Sequence, residues 1–121
     1  MHRRPSCALD PAFGSEGIAR VSVPVFAADV DGAWIGPGGA VFVAGTDWGS
    51  DVTNPFVARI TAAGALDTSF GDGGIARVTS NEVSGSEDVI ADGRGRPIVS
   101  GWVNVENGGF VQKVQVARFT A

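Results

Sequence analysis

Cysteine and histidine are almost absent from this sequence, with one of each among 121 residues. A single cysteine, Cys7, excludes an intramolecular disulfide and any zinc site built on several cysteines. The single histidine, His2, lies in the N-terminal tail, so a Ser–His–Asp or Cys–His catalytic set is not expected. Only 18% of the residues are charged and the formal charge is −4, which argues against a nucleic-acid partner.

The sequence also lacks any apolar run of about 18 residues, so no membrane span is expected. The basic start MHRRPSCA has no apolar segment behind it, and the chain as it stands therefore shows no signal peptide. What the sequence has in excess is glycine, with 18 residues, beside an apolar fraction of 44%. This balance is typical of a folded domain with many turns rather than of a disordered chain.

An internal repeat organises the chain. LDPAFGSEGIARV at 9–21 matches LDTSFGDGGIARV at 66–78 in nine of thirteen positions, at an offset of 57. GAVFVAG at 39–45 aligns with GRPIVSG at 95–101, and ARITA at 58–62 aligns with ARFTA at 117–121. The offset changes only within polar, glycine-rich stretches, as loops vary around a fixed unit. The sequence thus predicts a flexible tail at 1–8, a first blade at 9–64 and a second blade at 65–121.

Each copy reads as four short strands, because β-branched runs alternate with glycine-rich turns and no stretch has a helical apolar period. The expected strands of the first copy are 17–23, 33–36, 40–46 and 56–60, and those of the second are 74–80, 88–91, 96–102 and 110–119. Both faces of the strand VFVA at 41–44 are apolar, so its sheet is expected to be covered on both sides. Repeated four-stranded sheets stacked face to face describe a β-propeller. A two-sheet β-sandwich is the alternative, although it would leave one face of each sheet wet.

The motifs L-D-x-x-F-G-x-x-G-I, a later D-G-x-G before an apolar strand, and a closing A-R-[IF] resemble the delta-60 repeats, a β-propeller repeat family of bacterial proteins. The resemblance covers about residues 9–121. The family's Q-x-D-G-K turn survives only in part, as Ala91-Asp92-Gly93-Arg94 in the second copy. The resemblance implies an all-β fold of two four-stranded antiparallel propeller-type blades and a secreted or cell-surface parent protein. It implies no catalytic residues.

Residues that recur once in each copy are expected to build the blade rather than an active site. Leucine and phenylalanine can fill the space between sheets, aspartate can accept backbone N–H bonds in the turn, and glycine permits the chain reversal. A strand arginine beside a turn carboxylate suggests an ion pair. These structural positions are Leu9, Asp10, Phe13, Gly14 and Arg59 in the first copy, and Leu66, Asp67, Phe70, Gly71 and Arg118 in the second.

Two tryptophans are candidate contacts for a ligand or partner. Trp48 and Trp102 lie just beyond Gly45 and Gly101, in the variable loops 46–55 and 102–110. Packing against a neighbouring sheet is the alternative for both. The acidic stretches 29–32 and 72–74 are interpreted as turns between strands, since neither has the ligand spacing of a calcium loop. No cofactor is therefore predicted, with calcium an unsupported alternative.

Two blades do not close a propeller, which has about four to eight. The chain is therefore expected to be a fragment of a longer propeller, a unit that assembles as a homo-oligomer of about three or four copies, or a small two-sheet monomer. The predicted function is a non-enzymatic structural or binding module that displays variable loops, and the ligand is not predicted. The alternative is a carboxylate- or metal-dependent hydrolase or lyase, with its site in the mouth of an assembled propeller. Convergence of Asp and Glu side chains from both copies would favour the enzyme.

Overall fold

The computed structural model describes residues 7–23, 28–49, 52–106 and 110–120, and within them the chain is all-β. The predicted tail at 1–8 lies mostly outside these residues. The described residues form no helix with the length and apolar character needed to cross a lipid bilayer. In chain order the elements are β1 (Ala28–Ile35), the 3-10 turn η1 (Pro37–Gly39), β2 (Val41–Asp47), β3 (Asn54–Ile60), β4 (Ile75–Arg77), β5 (Ser84–Ala91), β6 (Pro97–Glu106) and β7 (Phe110–Arg118).

The strands form two antiparallel sheets. The first sheet has the order β1-β2-β3-β4, and the second sheet has the order β5-β6-β7. Tight turns join the first two strands of each sheet, as the glycines in the sequence predicted. Gly38 and Gly39 have φ of 71° and 80°, and Gly95 has φ of 75°, a region that favours glycine. The second turn is also fixed by Asp92, whose Oδ1 accepts bonds from the backbone N–H groups of Arg94 and Arg96.

The first sheet is completed by a strand from the second copy of the repeat. β4 belongs to the GIARV motif at 74–78, yet it pairs with β3 through Phe56↔Arg77, Val57↔Ala76 and Ala58↔Ile75. The chain then crosses to the second sheet and begins β5. The first sheet therefore starts part-way through the first copy of the repeat and receives its last strand from the second copy.

The prediction of two four-stranded blades is corrected here, because the second sheet has three strands in the described part of the chain. Residues 17–23, predicted as the first strand of the first copy, form only an isolated bridge between Ser15 and Ile18. Their counterpart β4 is a strand because the edge of β3 is beside it. No described strand lies beside residues 17–23 in the same way, and local sequence alone does not create a strand.

An apolar core lies between the two sheets. Its fully buried members come from both sheets and from the turn before β4: Phe42, Ala44, Val57, Phe70, Val89 and Val99. The rings of Phe42 and Phe70 meet edge to face at 5.7 Å and 61°. Phe70 lies just before β4 in the repeat motif, and its ring is buried between the two sheets.

The two faces of each sheet are distinguished here by what they contact. The front face of the first sheet carries Phe42, Ala44 and Val57, and by register the front face of the second carries Ile98, Ser100 and Val116. The back faces carry Val43, Ala58 and Ile60 in the first sheet, and Val99, Ala117 and Phe119 in the second. Within the chain, the front face of the first sheet packs on the back face of the second.

The two remaining faces carry apolar side chains that are incompletely covered, and the face of the second sheet also carries Ser100 and Arg118 by register. On the front face of the second sheet, Val114 is 84% exposed and Val116 is 64% exposed, whereas Val57, the counterpart of Val116, is fully buried. The back face of the first sheet lines an open apolar cavity of about 500 Å³ together with Phe13 and residues 19–23. Each sheet thus presents an apolar surface on the side that its own chain does not fill.

Candidate functional site

A cleft of about 420 Å³ opens at one end of the junction between the two sheets. Its lining combines carboxylates, hydroxyls and aromatic rings drawn from both copies of the repeat: Asp29, Asp31, Thr46, Trp48, Thr53, Ser86, Glu87 and Trp102. Two other large cavities, of about 500 and 440 Å³, are lined almost entirely by apolar side chains. Of these three cavities, the cleft is the one lined by acidic side chains.

Equivalent β-bulges bring two carboxylates to the cleft. The pairing of β1 with β2 shifts at Asp31, and the pairing of β5 with β6 shifts at Glu87. These residues are 56 positions apart, the same offset that relates the two hairpins. A bulge places an extra residue on one strand and redirects its side chain. The bulges thus place Asp31 and Glu87 at equivalent positions at this end of the two sheets.

Two glycines permit the close strand approach beside each bulge. A Cβ at Gly45 would collide with the carbonyl oxygen of Asp29, and a Cβ at Gly101 would collide with the carbonyl oxygen of Gly85. Gly45 lies within β2 and Gly101 lies within β6, and each precedes a candidate tryptophan by one to three residues. Glycine is therefore required there by backbone proximity rather than by a positive φ.

A small hydrogen-bond network holds the floor of the cleft. Asp31 Oδ2 accepts a bond from Thr46 Oγ1 at 3.0 Å and another from Ser86 Oγ at 2.5 Å. The backbone N–H of Ser86 donates to Thr46 Oγ1 at 3.0 Å. Thr46 and Ser86 are both buried, so one carboxylate satisfies hydroxyls from two sheets. This network fixes the relative position of the two copies at the cleft.

The two tryptophans predicted as contact residues line this same cleft. Trp48 is 55% exposed. Trp102 is half-buried and lies over Gly85, where a Cβ would come within 2.6 Å of its ring. The sequence predicted both in variable loops, which is wrong for Trp102, because it lies within β6 and pairs with Val114. The structure brings the two side chains to one cleft. Their role in binding stays a prediction, and parts of both variable loops, residues 50–51 and 107–109, lie outside the described residues.

The recurring Leu-Asp-x-x-Phe-Gly motif forms the same turn in both copies. Asp10 Oδ1 accepts a bond from the backbone N–H of Ala12, and Asp67 Oδ1 accepts the equivalent bond from Ser69. Gly14 and Gly71 have φ of 59° and 56°. These contacts are internal to the turn. Leu9 of the motif is 62% exposed and does not fill space between the sheets, and the interpretation of the motif as part of a blade stays a prediction.

An ion pair joins this turn to the end of β3. Arg59 Nε lies 3.3 Å from Asp67 Oδ2, and the guanidinium carbon lies 5.7 Å from the centre of the Phe42 ring. The hydroxyl and the backbone N–H of Ser69 lower the pKa of Asp67 below its usual value, and the charge of Arg59 contributes in the same direction. In the part of the chain that the structure describes, Arg118 has no such carboxylate partner, although it closes the second copy as Arg59 closes the first.

The acidic stretches that were considered as turns have different outcomes. Residues 29–32 lie within β1 rather than in a turn, so the interpretation as a turn is wrong. The strand was missed because the bulge at Asp31 interrupts the alternation of apolar and polar residues that marks a strand. Asp72 does lie in a turn, where its N–H bonds the carbonyl of Ile75. Across the described ranges, no three His, Cys, Asp or Glu side chains are placed so that they could hold a metal ion.

Sequence reasoning did not identify Thr46, Ser86 or Glu87 as residues of a site. Glu87 was detectable, because alignment at the offset of 56 places it on Asp31. The two hydroxyl residues carry no sequence signal for this role, since only the stacking of the sheets brings them together. Comparisons with protein-family models, with curated proteins and with solved structures gave no match.

Proposed function

We propose that this chain is a non-enzymatic structural and binding module of the β-propeller type. It contributes two blades that stack with further blades, either in a longer parent chain or as a homo-oligomer, and it displays the cleft between its sheets to a ligand or partner. The resemblance of its motifs to the delta-60 repeats supports the same proposal, as does the arrangement of two stacked antiparallel sheets.

One observation carries the proposal: equivalent positions are buried in the first sheet and exposed in the second. Val57 is fully buried under the second sheet, while its counterpart Val116 is 64% exposed. Burying a valine side chain contributes about 1.5–3 kcal/mol. A module that leaves such apolar side chains exposed gains stability when another sheet stacks on them, as in repeat proteins with nearest-neighbour interfaces.

Stability of two copies joined in tandem tests this function. The junction follows the repeat itself, with Ala121 of the first copy linked through Ala-Gly-Ala, the equivalent of residues 63–65, to Leu9 of the second. Stacking across the junction is expected to raise the urea midpoint above that of the single chain and to make the two copies unfold together. The matched control carries Val116→Lys in the first copy only, which places a charge at the new junction and should remove the gain. Two copies that unfold independently, at the single-chain midpoint, would refute the proposal.

The cleft is the surface that such a scaffold would offer. Its walls come from bulged strands and from a hydrogen-bonded floor, so the two tryptophans stand on a rigid base. Aromatic rings beside carboxylates and hydroxyls suit a polar ligand with apolar faces, such as a sugar, or an extended segment of a partner protein. Titration with sugars, monitored through tryptophan fluorescence and compared with Trp48→Ala, tests this use of the cleft.

One observation favours the alternative of a hydrolase or lyase. Asp29 and Asp31 of the first copy and Glu87 of the second line the same cleft. Paired carboxylates serve as acid and base in glycoside hydrolysis, provided that their separation suits the reaction. The test is an assay with chromogenic glycosides. Activity that Glu87→Gln abolishes without altering the fold would support the enzyme and would contradict the non-enzymatic proposal.

A further inference from the structure

Two segments of this chain share one conformation but differ in what they contact. In segment 66–77, the N–H of Phe70 bonds the carbonyl of Asp67 at 3.1 Å, and the N–H of Gly74 bonds the carbonyl of Phe70 at 2.9 Å. In segment 9–20, the equivalent bonds occur with the same lengths, from Phe13 to Asp10 and from Gly17 to Phe13. The isolated bridge Ser15↔Ile18 likewise matches Asp72↔Ile75. Segment 9–20 therefore already has the conformation in which segment 66–77 pairs with the first sheet.

Segment 66–77 docks on the first sheet through three kinds of contact. Its strand β4 pairs with the outer edge of β3, its Asp67 forms the ion pair with Arg59, and its Phe70 is buried in the core. The backbone N–H of Asp67 also bonds the carbonyl of Arg59 at 2.8 Å. Together these contacts combine main-chain pairing with an apolar plug, as in recognition by strand addition.

The second sheet presents an equivalent docking surface, and no strand pairs with its outer edge in the described part of the chain. β7 is the edge strand of its sheet in the described part of the chain, and it is the counterpart of β3. Val116 and Ile98 stand where Val57 and Phe42 stand in the first sheet, and Arg118 stands where Arg59 does. An exposed strand edge beside an apolar face favours pairing with another chain.

We propose that segment 9–20 of one copy of this chain docks on the second sheet of another copy, in the register of segment 66–77 on the first sheet. Ile18, Ala19 and Arg20 then oppose Ala117, Val116 and Gln115. Asp10 pairs with Arg118, and Phe13 packs over Ile98 and Val116. This interface rests on the proposed function and names its partner as a second copy of the chain.

Docking requires no rearrangement of segment 9–20. The N–H of Gly14 bonds the carbonyl of Ala63 at 2.8 Å, and Phe13 lines an open cavity together with the back face of its own first sheet. Phe70 belongs to the core cluster that includes Val99 of the second sheet, and it contacts Phe42 of the first. Phe13 can therefore stay on its own sheet and meet the front face of a neighbour.

One contact of the internal docking is lost in this interface. Arg77 NH1 lies 3.0 Å from Asp47 Oδ2, but the counterpart of Asp47 in the second sheet is Val103. Arg20 of the docking copy therefore meets no equivalent carboxylate. Association between copies is accordingly weaker than the internal docking and depends on protein concentration.

The interface is head-to-tail, because the surface that docks and the surface that receives are different. Each copy uses its second sheet once and its segment 9–20 once. Such heterologous contacts produce a closed ring when the rotation between copies closes, and a filament when it does not. The blades of a propeller are related by a rotation, which favours the ring.

A charge exchange tests the register. Asp10→Arg and Arg118→Asp each replace the pair by like charges and should weaken self-association in sedimentation velocity by roughly tenfold, because an attraction is lost and a repulsion takes its place. An equal mixture of the two variants should recover association, because each variant then faces its complement. Failure of the mixture to recover would overturn the register.

A disulfide trap provides a second readout that does not depend on the energy of an ion pair. Ala58 and Ile75 oppose each other next to the hydrogen-bonded position Arg59/Gly74. Such non-hydrogen-bonded pairs have Cα atoms about 4.5 Å apart, within the range of a disulfide. Chains with Cys7→Ser and either Ile18→Cys or Ala117→Cys should therefore form a mixed disulfide. Ile18→Cys with Lys113→Cys is the control and should form none.

The outcomes separate this inference from the proposed function. Self-association with a trapped bond between positions 18 and 117 supports the docking. Self-association without it, or with equal trapping of the control, overturns the docking while the stacking of tandem copies stands. Single chains that stay monomeric at all concentrations, beside stabilised tandem copies, also overturn it, because the second sheet then accepts a blade only from its own chain. Absence of stabilisation in the tandem copies refutes the proposed function itself.

Discussion

Phe70 offers the sharpest test of how the two sheets are held together. Its side chain is 3% exposed, packs edge to face on Phe42 and belongs to the core between the sheets. Replacing a buried phenylalanine by alanine costs about 3–5 kcal/mol, which includes the cavity that remains. A chain of this length has a total stability on the order of 6–18 kcal/mol. Phe70→Ala should therefore remove a large fraction of the stability.

Urea unfolding followed by circular dichroism measures this loss. With a dependence of about 1–3 kcal/mol per molar urea, the midpoint should fall by roughly 1–5 M in Phe70→Ala. Dilute protein is used, so that association between copies does not contribute. The reasoning assumes that the slope of the transition is unchanged, which the same experiment checks.

The repeat supplies a matched control in Phe13→Ala. Phe13 occupies the same position of the motif, but it is only half-buried and lines an open cavity. Its replacement should cost about 1 kcal/mol or less in dilute protein, because little apolar surface becomes exposed. Equal losses for the two variants would refute the assignment of Phe70 as the plug between the sheets.

Three further predictions follow from the turns and the cleft. Gly101→Ala should destabilise the fold strongly, because its Cβ would collide with a backbone carbonyl, whereas Gly93→Ala, with open space around it, should unfold like the unmodified chain in urea. Asp31→Ala removes the shared acceptor of two buried hydroxyls and should cost about 1–3 kcal/mol in the same assay, and a neutral result would contradict the network. Hydrogen bonds and nearby arginines lower the pKa of Asp67 and Asp92 below 3.8, so their stabilisation is present above that pH and is lost as the pH falls through the lowered pKa. Replacing both by asparagine should reduce stability at neutral pH and flatten its decline below about pH 4 in acid unfolding curves, and an unchanged decline would assign acid sensitivity to other groups.

Several strands were predictable because their residues decide their state locally. The middle strand of each hairpin was expected at 40–46 and 96–102, and β2 and β6 lie at Val41–Asp47 and Pro97–Glu106. Dense β-branched and aromatic residues between glycine turns leave little alternative to a strand. The first strands of the sheets, β1 and β5, are longer than the predicted 33–36 and 88–91. Acidic residues at their bulges hid the beginning of both strands, since a bulge breaks the period of two.

By itself the sequence determined that the chain is all-β, that it repeats one unit, and where the tight turns fall. These features depend on neighbouring residues and on spacing, which a sequence contains in full. Only the tertiary structure decided that β4 completes the first sheet while its counterpart at Ile18 stays outside any strand. It also decided that Asp31, Ser86 and Trp102 share one cleft. Both outcomes depend on which strand edge and which sheet lie alongside, and near-identical segments therefore take different roles when their surroundings differ.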